Sequence, residues 1–179
     1  MMNCWKTVNV TREVGTNRIN LISFLLGLLS FIVLFLPFSI IHQSNNMKDH
    51  GIFPLLIGLA LLPIAHKLMH ILPLILTNKR LKLKWHFIKG LIPICTLLTQ
   101  TKTSKQITIF FLLAPTIFLT VPGLIASYLF PNYFAYCLIF TAFNIGLSYT
   151  DFLYAIRLIK APKKCIVENA KDGYDILVN

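Results

Sequence analysis

Two histidines four residues apart, in the run His66-Lys67-Leu68-Met69-His70, lie inside a long apolar stretch. On a helix, positions i and i+4 stand on the same face, so both imidazoles can reach a single metal ion. Metalloprotease helices that read H-E-x-x-H use this spacing, and their glutamate takes a proton from the metal-bound water. Here Lys67 holds that place. A lysine at its ordinary pKa has no lone pair, so it cannot accept the proton, and it adds positive charge beside a dication. Burial deep enough to leave the amine neutral would restore a base. Alternatively, Lys67 is offset by about 100° from His66 around the helix and points elsewhere, snorkelling toward the interface or pairing with an acid.

A third ligand is available from a second polar stripe. Asn144, Ser148 and Asp151 are spaced i, i+4, i+7, on a helix otherwise dominated by Phe, Ile, Leu and Tyr. Asp151 is the one acidic residue in any long apolar run. A charge near the bilayer centre costs about 2.5 to 3.5 kcal/mol on insertion scales, so the stripe faces protein. His66, His70 and Asp151 would make a three-ligand set with an open fourth position, the arrangement of a catalytic zinc site. The competing reading has the histidines hydrogen-bonding across helices without a metal, and Asp151 paired with Lys67, Arg157 or Lys160. Asn144 and Ser148 are candidates for substrate contact or for interhelical hydrogen bonds. His42, Asp49 and His50 read as a solvated loop, and His86 and the two tryptophans, Trp5 and Trp85, as interfacial.

The elements that carry these residues follow from composition. Of 179 residues, 56% are hydrophobic and only 13% charged, which a soluble domain would not show. Four runs are long enough to span about 30 Å of hydrocarbon: residues 19–41, 52–77, 107–130 and 133–156. The fold class expected is an all-α membrane protein of about four transmembrane helices with a possible small β element. The first run is too long for a signal-peptide core and lacks a clear cleavage site, so it reads as a retained span. Seventeen Lys and Arg stand against six Asp and Glu. Their gathering between the apolar runs excludes a nucleic-acid binder and points to anionic lipid headgroups as the partner. Three fall before the first span, seven in residues 78–106 and five from Arg157 onward, against Lys48 alone in the first loop. That bias puts both termini and the basic central loop in the cytoplasm of a multi-pass cell-membrane protein. Residues 1–18 and 161–179 are then cytoplasmic tails around a single membrane domain, 19–160.

Between the second and third spans, Lys79, Arg80, Lys82, Lys84 and Lys89 alternate with Leu81, Leu83, Trp85, Phe87 and Leu91. A period of two argues for a strand or interfacial ribbon, with residues 90–98 following as a re-entrant element. In the C-terminal tail, Cys165-Ile166-Val167 and residues 174–178 read as a hairpin turning at Asp172-Gly173. Pro37, Pro63, Pro73, Pro115 and Pro122 kink helices and free carbonyls that neighbours must satisfy, and Pro63 and Pro73 each stand three residues from the histidine pair. Cys4, Cys95, Cys137 and Cys165 lie far apart and read as free thiols.

The second span, the segment Leu83-Lys84-Trp85-His86-Phe87-Ile88-Lys89-Gly90, the entry from Ser104 to Pro115, and Asn144 through Asp151 together resemble a family of small bacterial integral-membrane zincin-like peptidases, similar in plan to site-2 proteases. The resemblance covers most of the chain. It implies H-E-x-x-H on one helix with an asparagine and an aspartate on a later one. His66, His70 and Asp151 would then ligate zinc, and Asn144 would stand near the substrate. The chain departs from that pattern at Lys67. The expected function is therefore a non-catalytic, metal-binding or regulatory membrane protein. The alternatives are an active intramembrane metallopeptidase with an unusual base, or a small transporter component, which the lack of repeats and of broken half-helices disfavours.

Overall fold

The computed structural model describes residues 3–42, 51–76, 82–88, 92–98, 103–163, 165–170 and 173–178. Strand β1 (Asn3–Val8) leads into a short helix α1 (Val10–Val14), whose start is fixed by Asn9: its side-chain oxygen accepts from the Arg12 amide at 2.8 Å. Two long apolar helices follow, α2 (Thr16–His42) and α3 (Ile52–Leu76). Between them and the second half of the chain, β2 (Lys82–Ile88) pairs antiparallel with β3 (Ile92–Leu98). The alternation in sequence thus forms a strand, and the segment expected to re-enter the membrane is its partner strand instead.

The third apolar run is not one regular helix. After the two-residue strand β4 (Thr103–Ser104), α4 (Lys105–Pro115) passes into a π-helical turn (Thr116–Thr120) and then α5 (Val121–Leu129). Pro115 explains the irregularity, because its nitrogen cannot donate to the carbonyl of Phe111 four residues back. The fourth run is likewise divided, into α6 (Phe134–Leu147) and α7 (Tyr149–Ile159). The break falls at Ser148, whose hydroxyl donates to the Asn144 carbonyl at 2.9 Å, the back-bond that bends helices. Continuous hydrophobicity predicts one helix over residues 133–156, and the division at Ser148 corrects that expectation. Among the described residues, three helical stretches, Thr16–His42, Ile52–Pro73 and Lys105–Leu129, are long and apolar enough to cross a membrane.

Helix α6 is the centre of the bundle. Gly146 crosses α2 so closely that a Cβ there would lie 2.6 Å from the Ser23 carbonyl oxygen and 3.2 Å from Gly27 Cα. Small residues at such crossings let helix backbones touch where lipid offers no hydrophobic drive to association. On α3, a Cβ on Gly58 would meet the Phe140 ring at 2.6 Å. Beyond the helix ends, β1, β6 (Gly173–Val178), β5 (Cys165–Ala170) and β4 form one antiparallel sheet in that order. The C-terminal hairpin expected from the sequence is β5–β6, and β1 joins it from the other end of the chain. Val8, Val10, Leu112, Leu158, Val167 and Ile176 fill the core between this sheet and the helix ends. Lys105 ties the two layers, donating to the carbonyls of Ile159 at 3.0 Å and Ala161 at 2.6 Å, where the last turn of α7 leaves acceptors unpaired.

Candidate metal centre

Helix α3 presents His66 and His70 on its inner face, 7% and 9% exposed, with ring centroids 5.2 Å apart and planes nearly perpendicular. Lys67 stands on the outer face and is exposed, as the 100° offset requires. Among the described residues it makes no ion pair with Asp151, so the competition between lysine and metal raised by the sequence does not arise. Nor does Arg157 take Asp151: its guanidinium donates to Glu13 at 2.8 Å, linking α7 to α1.

Asp151, in the first turn of α7, instead faces both histidines. Its Oδ2 lies 3.1 Å from His66 Nε2 and 3.5 Å from His70 Nε2. The other nitrogen of each ring is held by an acceptor. His70 Nδ1 donates to the Phe111 carbonyl at 2.8 Å, the same carbonyl that Pro115 leaves without a helical donor. His66 Nδ1 is 2.8 Å from Asn144 Oδ1. The orientation of that amide is settled by its nitrogen, which donates to the Pro115 carbonyl at 3.1 Å and to Thr120 Oγ1 at 3.0 Å. Oδ1 can only accept, so His66 carries its proton on Nδ1. In its neutral form each ring therefore turns an Nε2 lone pair toward the carboxylate.

Two lone pairs aimed at a carboxylate oxygen repel one another unless a proton or a cation lies between them. The donor set suits a metal. At metal–ligand lengths of about 2.0 to 2.1 Å, tetrahedral ligand atoms sit roughly 3.3 to 3.4 Å apart. The two distances to Asp151 bracket that value, and all three donor atoms lie within 4.8 Å of one another. Outer acceptors that fix the tautomer of ligating histidines are a general feature of zinc sites, and here a carbonyl and an amide serve.

Between residues 59 and 166 the chain matches the model of a family described as "Putative zincin peptidase". The match spans more than half of its length. This chain belongs to that family. No curated protein and no solved structure matches it. Within the family match fall the three candidate ligands and their orienting partners, from His66 on α3 to Asp151 on α7, and also Lys67, which stands where H-E-x-x-H has its acid.

The remaining candidates take other places. Asn144 is 1% exposed and all its polar atoms are engaged; Ser148 is fully buried. His42 lies against Phe134 and Tyr128, and its Nε2 donates to the Ser127 carbonyl at 3.1 Å. Asp49 and His50 fall outside the described residues. Cys4, Cys137 and Cys165 are free thiols. Sequence reasoning did not single out Phe111, Thr120 or Tyr174. The first had a usable signal, since a proline at 115 releases the carbonyl at 111.

Proposed function

We propose that this zincin-family membrane protein holds a divalent transition metal, zinc by its donor set, on His66 Nε2, His70 Nε2 and Asp151, and that it acts as a non-catalytic binding or regulatory protein. The observation that carries this reading is the double tautomer lock: Asn144 and the Phe111 carbonyl hold both Nδ1–H groups. A bound zinc ion would supply Lewis acidity to whatever occupied its fourth position. Hydrolysis at such a position also needs a proton acceptor. Lys67 faces away from the ligands, and Asp151 is committed to the histidines. No other carboxylate stands on the membrane-spanning runs.

In the same reading the chain crosses the membrane four times, α6 and α7 together forming the last crossing. One sheet gathers strands from before α2, before α4 and after α7, which favours an even number of crossings between them. Both termini are then cytoplasmic by charge, and the lysines and arginines of that side meet anionic lipid.

The test is metal analysis of protein purified in detergent without chelators, beside His66→Ala and Asp151→Ala. One zinc per chain is expected in the parent and a large loss in both variants. A parent protein free of transition metal would reject the site.

A further inference from the structure

Helix α6 has a second face, turned to α2, while Asn144 on its other side reaches α3 and α4. The backbones of α2 and α6 touch at Ser23, Gly27, Ala142 and Gly146, where small residues allow it. Phe24 and Phe143 stand along this crossing and are exposed, and a groove of about 420 Å³ is left between the two helices. Ligand sites occupy about 300 to 1,000 Å³, so this volume is ample for one chain of an amphiphile. The groove is blind at its deep end. Beyond Phe31, the Phe35 ring lies 5.3 Å from that of Phe31 and stacks on Phe134 at 5.8 Å, which fills the space between the helices. From Asn20 to Phe31 the groove follows eleven residues of α2, or about 16 Å. Half of a hydrocarbon core about 30 Å thick is the depth of one leaflet, whereas a partner's crossing helix needs a face about twice as long.

Polar side chains line the groove at its open end alone. They are Asn20 and Ser23, near the start of α2, and Thr150, in the first turn of α7. Arg18, in the first turn of α2, is exposed and makes no ion pair among the described residues. Arg157 lies seven residues beyond Thr150 on the same face of α7 and shares its charge with Glu13. Two guanidiniums against one carboxylate leave this end positive, and no acidic side chain lines the groove itself. An apolar trough one leaflet deep, with amide and hydroxyl donors and a basic rim at its mouth, has the shape and charge of an anionic lipid reversed. We propose that the groove between α2 and α6 binds one acyl chain of an anionic phospholipid, its phosphate held at Asn20 and Thr150 on the side of the sheet. This site rests on the reading that α2 and α6 cross a membrane, and it is independent of the metal.

The experiment adds equimolar phosphatidylglycerol and phosphatidylcholine to delipidated full-length protein in detergent and counts the retained lipid by native mass spectrometry. One phosphatidylglycerol per chain is expected, in preference to phosphatidylcholine. Ser23→Phe places a ring in the groove and should weaken retention about tenfold or more, whereas Leu29→Trp, on an exposed face of α2 outside the groove, should stay within about twofold of the parent. Arg18→Gln leaves the packing alone and should lower the preference for phosphatidylglycerol about fivefold, the value of one basic residue near a membrane surface. A graded series of adducts without preference, meaning annular lipid only, overturns the site, as does parent-like retention in Ser23→Phe or an unaltered preference in Arg18→Gln. A dimer that Ser23→Phe dissociates also overturns it, because a second copy would then cover the groove. Release of the chain from membranes by alkaline carbonate overturns the membrane reading and this site with it.

Discussion

Replacing Asn144 by leucine separates holding the ligands from being a ligand. Leucine is close in volume, so the buried position stays filled, while three polar contacts are lost: the acceptor for His66 Nδ1 and the donors to Pro115 and Thr120. With its Nδ1–H orphaned, the His66 ring gains by moving the proton to Nε2, where Asp151 Oδ2 accepts at 3.1 Å. The proton then occupies the position the metal needs. A hydrogen bond to a charged acceptor contributes about 1.5 to 3 kcal/mol. Breaking that bond to admit the metal should weaken binding by roughly 10- to 100-fold, which agrees with the usual effect of removing an outer partner of a ligating histidine. Competition for zinc against a chromophoric chelator, in detergent, measures this directly. Ser127→Ala is the matched control, because its buried hydroxyl bonds only the Leu124 backbone carbonyl within α5, and its zinc affinity should stay within about threefold of the parent. Parent-like affinity in Asn144→Leu would show that the amide does not set the His66 tautomer.

Lys67→Glu should leave zinc stoichiometry unaltered, because the side chain at 67 is exposed on the outer face of α3; metal analysis showing loss of zinc would contradict that placement. Tyr174 favours its neutral form in the fold, so its contribution is present below about pH 10, the ordinary phenol value, and is lost as pH rises beyond it. Thermal unfolding at pH 9 and pH 11 should therefore show a smaller alkaline loss in Tyr174→Phe than in the parent, and equal losses would refute it. Gly146→Val forces a side chain against the Ser23 carbonyl and Gly27, costing about 1 to 3 kcal/mol as overpacking, and should lower the melting temperature in detergent; an unshifted transition would mean the α2–α6 crossing is loose.

How far the sequence reached depends on whether a feature is local. The spacing of His66 and His70, and the stripe that ends in Asp151, are properties of one helix each, so periodicity exposed them. The strand in residues 82–88 was visible for the same reason, since its alternation has a period of two. The C-terminal hairpin was legible from its turn residues, whereas β1 was not: its partner is β6, and nothing in residues 3–8 points to residues 173–178. The division of the fourth run at Ser148 was hidden by continuous hydrophobicity, which is the same on either side of a bend. The orienting partners of the histidines were the least legible, because one is a backbone carbonyl that carries no side-chain signature.

The two backbone irregularities lie on the walls that face His66 and His70. Pro115 removes a helical hydrogen bond on α4, and the released Phe111 carbonyl is the one that holds His70. The break at Ser148 lies between Asn144 and Asp151, which on a straight helix would be separated by about 10.5 Å along the axis. Yet both reach the two nitrogens of the single His66 ring, at 2.8 and 3.1 Å. Seven residues apart, the two side chains share one helix face and hold the ring from its two nitrogens. A released carbonyl and an irregular turn at one place are what a functional site leaves in a fold. Lys67 takes part in none of these contacts. Its presence removes the base of the H-E-x-x-H chemistry and leaves the holding machinery whole, which is why metal retention and peptide hydrolysis should be measured as independent properties of this chain.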